Sequence, residues 1–203
     1  MSDYKIFEAG DVVLQSGLTY RAARLAYKTH GTLNVARSNV IVYPTSYGAQ
    51  HPDLEWLIAP GKPLDPTKYF IIIVNKFVNG LSSSPSNTPP PFDRGRYPHF
   101  TMTDNVRVQQ RLLPEVFGIE RVALVYGFSM GAQKAFHWAA LFPDRVEQDR
   151  ADLRFGQDLG PQFRFFRRRQ GGADRRSGLA GRLVCHPPTR GFQAMGRVYA
   201  AGG

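Results

Sequence analysis

The residues best suited to chemistry are a serine and the two glycines on either side of it. Ser129 lies in the run Gly127-Phe128-Ser129-Met130-Gly131, which matches the pattern G-x-S-x-G. At a sharp turn from a strand into a helix, this pattern strains the serine backbone and exposes its hydroxyl as a nucleophile. The amide of Met130 would then stand at the positive end of the helix and could stabilise an oxyanion. The alternative is that the glycines only build a tight connection and that Ser129 caps the helix.

The segments on both sides of this motif have the patterns that such a turn requires. Residues 121–126 form an apolar, β-branched run that is typical of a strand buried on both faces. A helix rich in small and apolar residues is predicted from about Met130 to just before Pro143. The sequence therefore predicts strand, tight turn and helix in the required order.

Further strands surround this unit. Residues 39–43 and 69–74 are continuous β-branched and aromatic runs, and residues 12–20 and 25–29 predict an antiparallel pair that ends at Gly31. The alternation of strands and helices predicts an α/β fold with a mostly parallel sheet and flanking helices.

One more helix and one long loop precede the serine. A helix is predicted over residues 104–117, with Thr103 as its cap and Gly118 as its end. Residues 80–98 contain three consecutive prolines and no periodicity, which excludes a helix or a central strand. Loops of this length in compact domains are usually functional or disordered.

Composition limits the class of protein. The chain has 203 residues, a formal net charge of +10 and one cysteine, so it forms no internal disulfide. Its first residues lack a secretory signal and no apolar run is long enough to span a bilayer, which predicts a cytoplasmic protein. His30, His51 and His99 have no paired ligand spacing, and no metal site is predicted.

The basic excess is concentrated in residues 148–203, which hold eleven arginines, no lysine and four aspartates. We therefore place a boundary after Glu147, between a folded part, residues 1–147, and an Arg/Gly-rich tail that we expect to be poorly ordered. Three interpretations stay open for the tail: a segment read in a shifted frame, a solvated linker, or a basic, non-catalytic surface that binds nucleic acid. The shifted frame is favoured, and nucleic-acid binding is the least favoured.

Several blocks of the sequence resemble the homoserine O-acetyltransferase-like branch of the α/β-hydrolases. The resemblance covers about residues 12–147 and is carried by residues 25–34, 79–87, 104–113, 117–122, 126–133 and 142–146. It implies the N-terminal part of an α/β-hydrolase fold, in which Ser129 takes an acetyl group from acetyl-CoA and passes it to a hydroxyl. Acetyl-CoA would be a substrate, so no cofactor is implied.

The resemblance also implies partners and further site residues. Thr45, next to Ser46, takes the position of the second oxyanion amide beside Met130, while Gly127 and Gly131 form the elbow. The expected partners are acetyl-CoA and a homoserine-like acceptor, within methionine biosynthesis, and a homodimer is left open. The family's usual Gly-Gly-Ser-Met-Gly-Gly is altered at Phe128 and Ala132, so a serine esterase is the alternative enzyme.

A serine nucleophile also needs a histidine base and an acid, which follow the serine in this fold. His137 is two helical turns beyond Ser129 and is not expected to be the base. His186 and the four aspartates of the tail, at positions 149, 152, 158 and 174, have no predicted strand to hold them. Because residues 188–200 resemble the family again, we expect a truncated gene product with two frame shifts and without turnover.

Overall fold

One sheet carries all the strands that the structure describes. The computed structural model describes residues 2–153 and 163–168. Its strands are β1 (Lys5–Val13), β2 (Thr19–His30), β3 (Val40–Pro44), β4 (Phe70–Val74), β5 (Val122–Phe128), β6 (Val146–Leu153) and β7 (Phe163–Arg168). They lie in the order β1-β2-β4-β3-β5-β6-β7. The helices are α1 (Met102–Leu112) and α2 (Met130–Leu141), and short 3₁₀ turns cover His51–Leu57 and Arg94–Arg96.

The centre of the sheet is parallel. Strands β4, β3, β5 and β6 run parallel to one another, whereas β2 pairs antiparallel with β1 and β4, and β7 pairs antiparallel with β6. Every residue of β3 and β4 is buried, as expected for central strands covered on both faces. The predicted α/β fold, with a mostly parallel sheet and flanking helices, is confirmed.

Two apolar clusters cover the two faces of the sheet. Alternate residues of β3 and β4 point into a large cluster with α1 and α2, which includes Val42, Ile72, Val106 and Trp138. The other residues of these strands pack with Leu54 and Leu64 in a smaller cluster. The period of two along a strand explains this division. No helix of the described residues is long and apolar enough to cross a bilayer.

The predicted first strand, residues 12–20, is wrong because it contains the turn of a hairpin. The Leu14 and Gly17 amides donate to the carbonyls of Leu18 and Leu14, both at 2.9 Å, and Gly17 has a φ of 84°. The true strand, β1, has exposed charged residues among buried apolar ones and is irregular around Gly10. The predicted end at Gly31 is confirmed, since its φ is 77°.

The helix before the serine begins two residues earlier than predicted. Thr101, and not Thr103, is the cap: its hydroxyl accepts from the Asp104 amide at 3.1 Å, and the Asp104 carboxylate accepts from the Thr101 amide at 2.9 Å. This reciprocal pair is a capping box. After Leu112 the helix continues as one π-helical turn, Leu113–Phe117, which contains Pro114 and ends at Gly118 in the left-handed region, as predicted.

The sheet continues past Glu147, which corrects a prediction. We expected no strand beyond this residue, but β6 pairs with β5 from Val122–Val146 to Phe128–Asp152. Ladder hydrogen bonds join backbone groups, so a segment without an apolar run can still extend a sheet. Positions 149 and 152 therefore lie on a strand. His186 and the aspartates at 158 and 174, with most of the predicted tail, lie outside the described residues.

Candidate active site

The turn between β5 and α2 is a nucleophile elbow in its backbone geometry. Strand β5 ends at Phe128, helix α2 begins at Met130, and Ser129 between them has φ 52° and ψ −121°. A residue with a side chain rarely adopts this conformation, which costs about 1–3 kcal/mol. The strained serine predicted from the sequence is therefore present.

The two glycines are required by close backbone contacts. A Cβ atom at Gly127 would lie 2.1 Å from the carbonyl oxygen of Gly131, and one at Gly131 would lie 2.6 Å from the carbonyl oxygen of Pro44. Neither distance is compatible with a side chain. These contacts bring the first turn of α2 directly against the end of β3.

Ser129 occupies the N-cap position of α2, but its side chain does not form the hydrogen bond that defines a helix cap. Its side chain makes no capping bond to an amide of α2, so the alternative interpretation of a simple cap lacks its defining contact. The carbonyl of Ser129 accepts from the amides of Ala132 and Gln133. Met130 is the first residue of α2, where amides have no partner within the helix. A half-buried hydroxyl thus stands beside an amide that is available to an anion.

The amide of Thr45 does not match the prediction. It donates to the carbonyl of Val74 at 3.0 Å and so belongs to the ladder between β3 and β4. This hydrogen bond takes the Thr45 amide out of the oxyanion role that the sequence suggested. The next residue, Ser46, is buried. Among the described residues, its amide N–H donates to no hydrogen-bond acceptor.

A buried lysine that the sequence analysis missed contacts the same loop. The Nζ atom of Lys134 donates to the carbonyl oxygen of Thr45 at 2.7 Å, and the residue is completely buried. Burial, with a smaller contribution from the charge of Lys76, lowers the pKa of Lys134 to about 7. Burial also lowers the pKa of Lys76, whose Nζ donates to the Phe77 carbonyl.

A sequence signal for Lys134 does exist. It lies three residues after Gly131 and four before Trp138, both buried, so helical periodicity places it on the inner face of α2. A lysine on a buried helix face is unusual enough to be examined.

None of the described histidines is hydrogen-bonded to the hydroxyl of Ser129. His137 contacts the Gln133 carbonyl of its own helix at 2.9 Å. His51 is buried between Asn75 and Asp3. The Nε2 atom of His30 lies 3.4 Å from the Oε1 atom of Glu55, and burial lowers the pKa of His30. Among the described residues, no histidine is therefore in place to act as a base toward Ser129.

One group of side chains has the spacing of metal ligands. Ligand atoms of Asp3, His51 and Glu55 lie within 4.8 Å of one another. The Lys28 ammonium, however, lies 2.6 Å from the Asp3 carboxylate and 2.7 Å from that of Glu55. The ammonium thus already lies between the two carboxylates, and this group is best described as an ion-pair network.

Comparison with known proteins gives two kinds of relatives. An ethyl acetate hydrolase from Pseudomonas veronii is 41% identical over 146 residues, which is 71% of this chain and 42% of that protein. A homoserine O-acetyltransferase from Thermobifida fusca is 37% identical over 153 residues, covering 66% of this chain and 40% of the relative. No family model matches the chain.

The fold agrees with these sequence relatives. A solved acetylester hydrolase from Corynebacterium glutamicum superimposes with a TM-score of 0.70 and 40% identity, over 72% of this chain and 42% of the other. The chain thus spans less than half the length of these relatives. Hydrolases and acyltransferases both occur among the proteins that share its fold.

Proposed function

We propose that this chain supplies the nucleophile of an acyl-transfer reaction, because its sequence and fold are similar to those of acetyl ester hydrolases and homoserine O-acyltransferases. Ser129 takes an acetyl group from an ester or thioester and passes it to water or to a hydroxyl. The observation that carries this proposal is the positive φ of Ser129 at the junction of β5 and α2.

The reaction has two halves that use the same atoms. The hydroxyl oxygen of Ser129 bonds to the acyl carbon while a base takes its proton, and the carbonyl electrons move onto oxygen. Collapse of this intermediate expels the alcohol or thiol, which recovers the proton. Water or an acceptor hydroxyl then attacks the acyl-serine, and the proton returns to Ser129.

The negative oxygen of each intermediate needs donors that are already in place. We assign the Met130 amide as the first donor, since it begins α2. The second donor is the Ser46 amide, because the Thr45 amide is bonded to Val74. Removing one donor of this kind in a serine hydrolase costs about 10²–10³ in rate.

The identity of the acceptor separates two candidate functions. The higher identity to acetyl ester hydrolases favours water as the acceptor. The acetyltransferase relative favours homoserine, with acetyl-CoA as the donor. Homoserine as acceptor, a place in methionine biosynthesis and a cytoplasmic location remain predictions.

The experiment that tests Ser129 supplies the base from solution. The full chain is incubated with 4-nitrophenyl acetate, with and without imidazole, and the acetylated residue is located by peptide mass spectrometry. We expect imidazole to produce acetylation at Ser129, because nucleophile and oxyanion donors are positioned locally. Ser129→Ala should abolish the modification, whereas Ser16→Ala, which removes an exposed serine of the β1–β2 turn, should leave it unchanged.

The same acetylated protein distinguishes the acceptors. Adding homoserine should release O-acetylhomoserine if the chain is a transferase, and acetate alone if it is an esterase. Acetylation that is equal in wild type and Ser129→Ala would contradict the proposal.

A further inference from the structure

Lys134 makes an unusual contact for a buried lysine. It is completely buried, and among the described residues its ammonium has no carboxylate partner, only the carbonyl oxygen of Thr45 at 2.7 Å. The two residues are 89 positions apart in sequence. Burying a charge without a counter-ion is costly. The hydrogen bond between Lys134 and the Thr45 carbonyl therefore points to a specific role for this lysine.

Thr45 is fixed at all three of its hydrogen-bonding atoms. Its amide donates to Val74 at 3.0 Å, its hydroxyl accepts from the Lys76 amide at 3.0 Å, and its carbonyl accepts from Lys134. The peptide group that joins Thr45 to Ser46 is thereby fixed in orientation.

The geometry of that peptide group links Lys134 to Ser46. A peptide is planar and almost always trans, so the Thr45 carbonyl and the Ser46 N–H point in opposite directions. A hydrogen bond to the carbonyl also polarises the peptide and strengthens its N–H as a donor. Lys134 therefore determines both the direction and the donor strength of the Ser46 amide.

The elbow lies against this peptide. A Cβ atom at Gly131 would meet the Pro44 carbonyl oxygen at 2.6 Å and the Thr45 carbonyl carbon at 3.8 Å. Gly131 is two residues after Ser129, so the fixed peptide and the nucleophile belong to one contact region.

We propose that Lys134 is a positioning residue of the oxyanion hole, which holds the Thr45 carbonyl so that the Ser46 amide faces the oxygen of the acyl group on Ser129. This inference rests on the proposed function for the role of Ser129. Lys134 itself touches neither substrate nor nucleophile in this assignment.

The orientation of the peptide can be measured without any enzymatic activity. Thr45 is the only threonine followed by serine in the sequence, so carbonyl-¹³C threonine with ¹⁵N serine gives one Thr45–Ser46 correlation by NMR. We expect Lys134→Met to move the carbonyl carbon upfield, because a hydrogen bond is lost, and Lys134→Gln to reverse part of the shift. The matched control is Lys76→Met, which removes a buried lysine that does not bind this carbonyl. An unmoved signal in Lys134→Met would overturn the proposal.

The effect on reactivity is measured by the imidazole-dependent acetylation of Ser129. We expect Lys134→Met to slow acetylation about 10-fold or more. This effect is smaller than the loss of about 10²–10³ in rate when an oxyanion donor is removed. Lys134→Gln should recover part of the rate. At pH 7 and below, Lys134→Met should be no less stable than wild type in urea, because it removes a buried charge. Equal losses of rate and stability would show a merely structural role. Absence of acetylation in the wild type would contradict the proposed function, while the NMR signal would still decide the role of Lys134.

Discussion

At the scale of single residues, the elbow depends on the absence of a side chain at Gly131. We expect Gly131→Ala to lower the free energy of unfolding by about 1–3 kcal/mol, as in other overpacked sites, because the new methyl group would meet a backbone oxygen at 2.6 Å. Urea denaturation measures the change. Gly95→Ala is the matched control, since nothing lies within 4 Å of its Cβ position, and an equal loss in both variants would contradict this explanation.

Lys134 should make stability depend on pH in the neutral to alkaline range. The pKa of its ammonium is lowered from 10.5 to about 7 in the folded state, so between these values the unfolded chain binds more protons and stability rises with pH. We expect wild type to gain stability relative to Lys134→Met as the pH is raised from 7 to 9. Denaturation curves of both proteins at each pH give the difference. Lys5 is an exposed lysine, so the difference in stability between wild type and Lys5→Met should not change over this pH range.

Without added base, Ser129 should be nearly unreactive. No described residue takes its proton, and serine hydrolases without triad members keep only about 10³–10⁴-fold catalysis over water, compared with about 10⁶-fold or more in typical enzymes. We expect no measurable acetyl transfer from acetyl-CoA to homoserine, little fluorophosphonate labelling, and no change in Ser129→Ala. Strong labelling that Ser129→Ala abolishes would show that a base is supplied by other residues or by a second chain.

At the scale of elements, the start of α1 is joined to the β1–β2 turn through its cap. Besides the capping box, the Asp104 carboxylate accepts from the Gln15 amide at 2.8 Å. Thr101→Ala should therefore cost about 1 kcal/mol of stability, the usual value for a lost cap. Thr103→Ala, inside the first turn of the same helix, should cost less because alanine favours helix interiors. Thermal or urea denaturation of the two variants tests the difference, and a larger loss at Thr103 would be inconsistent with it.

The elements that could be predicted from sequence are those whose cause is local. β3 and β4 are continuous apolar runs, and Gly118 ends its helix through its own φ of 62°. β6 could not be predicted, because its position depends on the backbone of β5 and not on an apolar pattern of its own. Thr101 was missed because Thr103 is as good a cap by residue type, and only the partner Asp104 distinguishes them.

The same distinction applies to the candidate site. Gly127 must lack a side chain because of the Gly131 carbonyl within the same five residues, so this part of the motif was visible in the sequence, whereas the contact of Gly131 with Pro44 was not. The contact of Lys134 with Thr45 joins two distant segments and exists only once β3 and α2 are packed together. The position of Ser46 depends on the same packing.

At the scale of the whole molecule, Lys28 joins three segments that are distant in sequence. Lys28 lies on β2, and its ammonium contacts Asp3 near the start of the described chain and Glu55 in the 3₁₀ turn. Hydrogen bonds from Lys28 and His51 lower the pKa of Asp3 to about 2. The contribution of this carboxylate to stability is therefore present above its ordinary pKa of 3.8 and is lost as the pH falls through about 2.

We expect Lys28→Met to be less stable than wild type at neutral pH, and the difference to shrink between pH 4 and 2 as the carboxylates gain protons. Denaturation at a series of acidic pH values measures this. Lys68→Met is the control, because Lys68 forms a 3.9 Å pair from an exposed position, and such pairs contribute about 0–1 kcal/mol. A difference that persists unchanged at pH 2 would contradict the assignment.

The strand order also fixes the sequence of events while the chain is being made. β1 and β2 are neighbours in the chain and can pair as soon as both have left the ribosome, but β3 lies between β4 and β5, and Ile41 pairs with Leu124. Closing so long a loop is slow, and synthesis proceeds at about 5–20 residues per second. For several seconds the nascent chain therefore leaves the N–H and C=O groups on one edge of the apolar strand β3 unpaired, and a chaperone that binds extended apolar segments has its target there until β5 emerges.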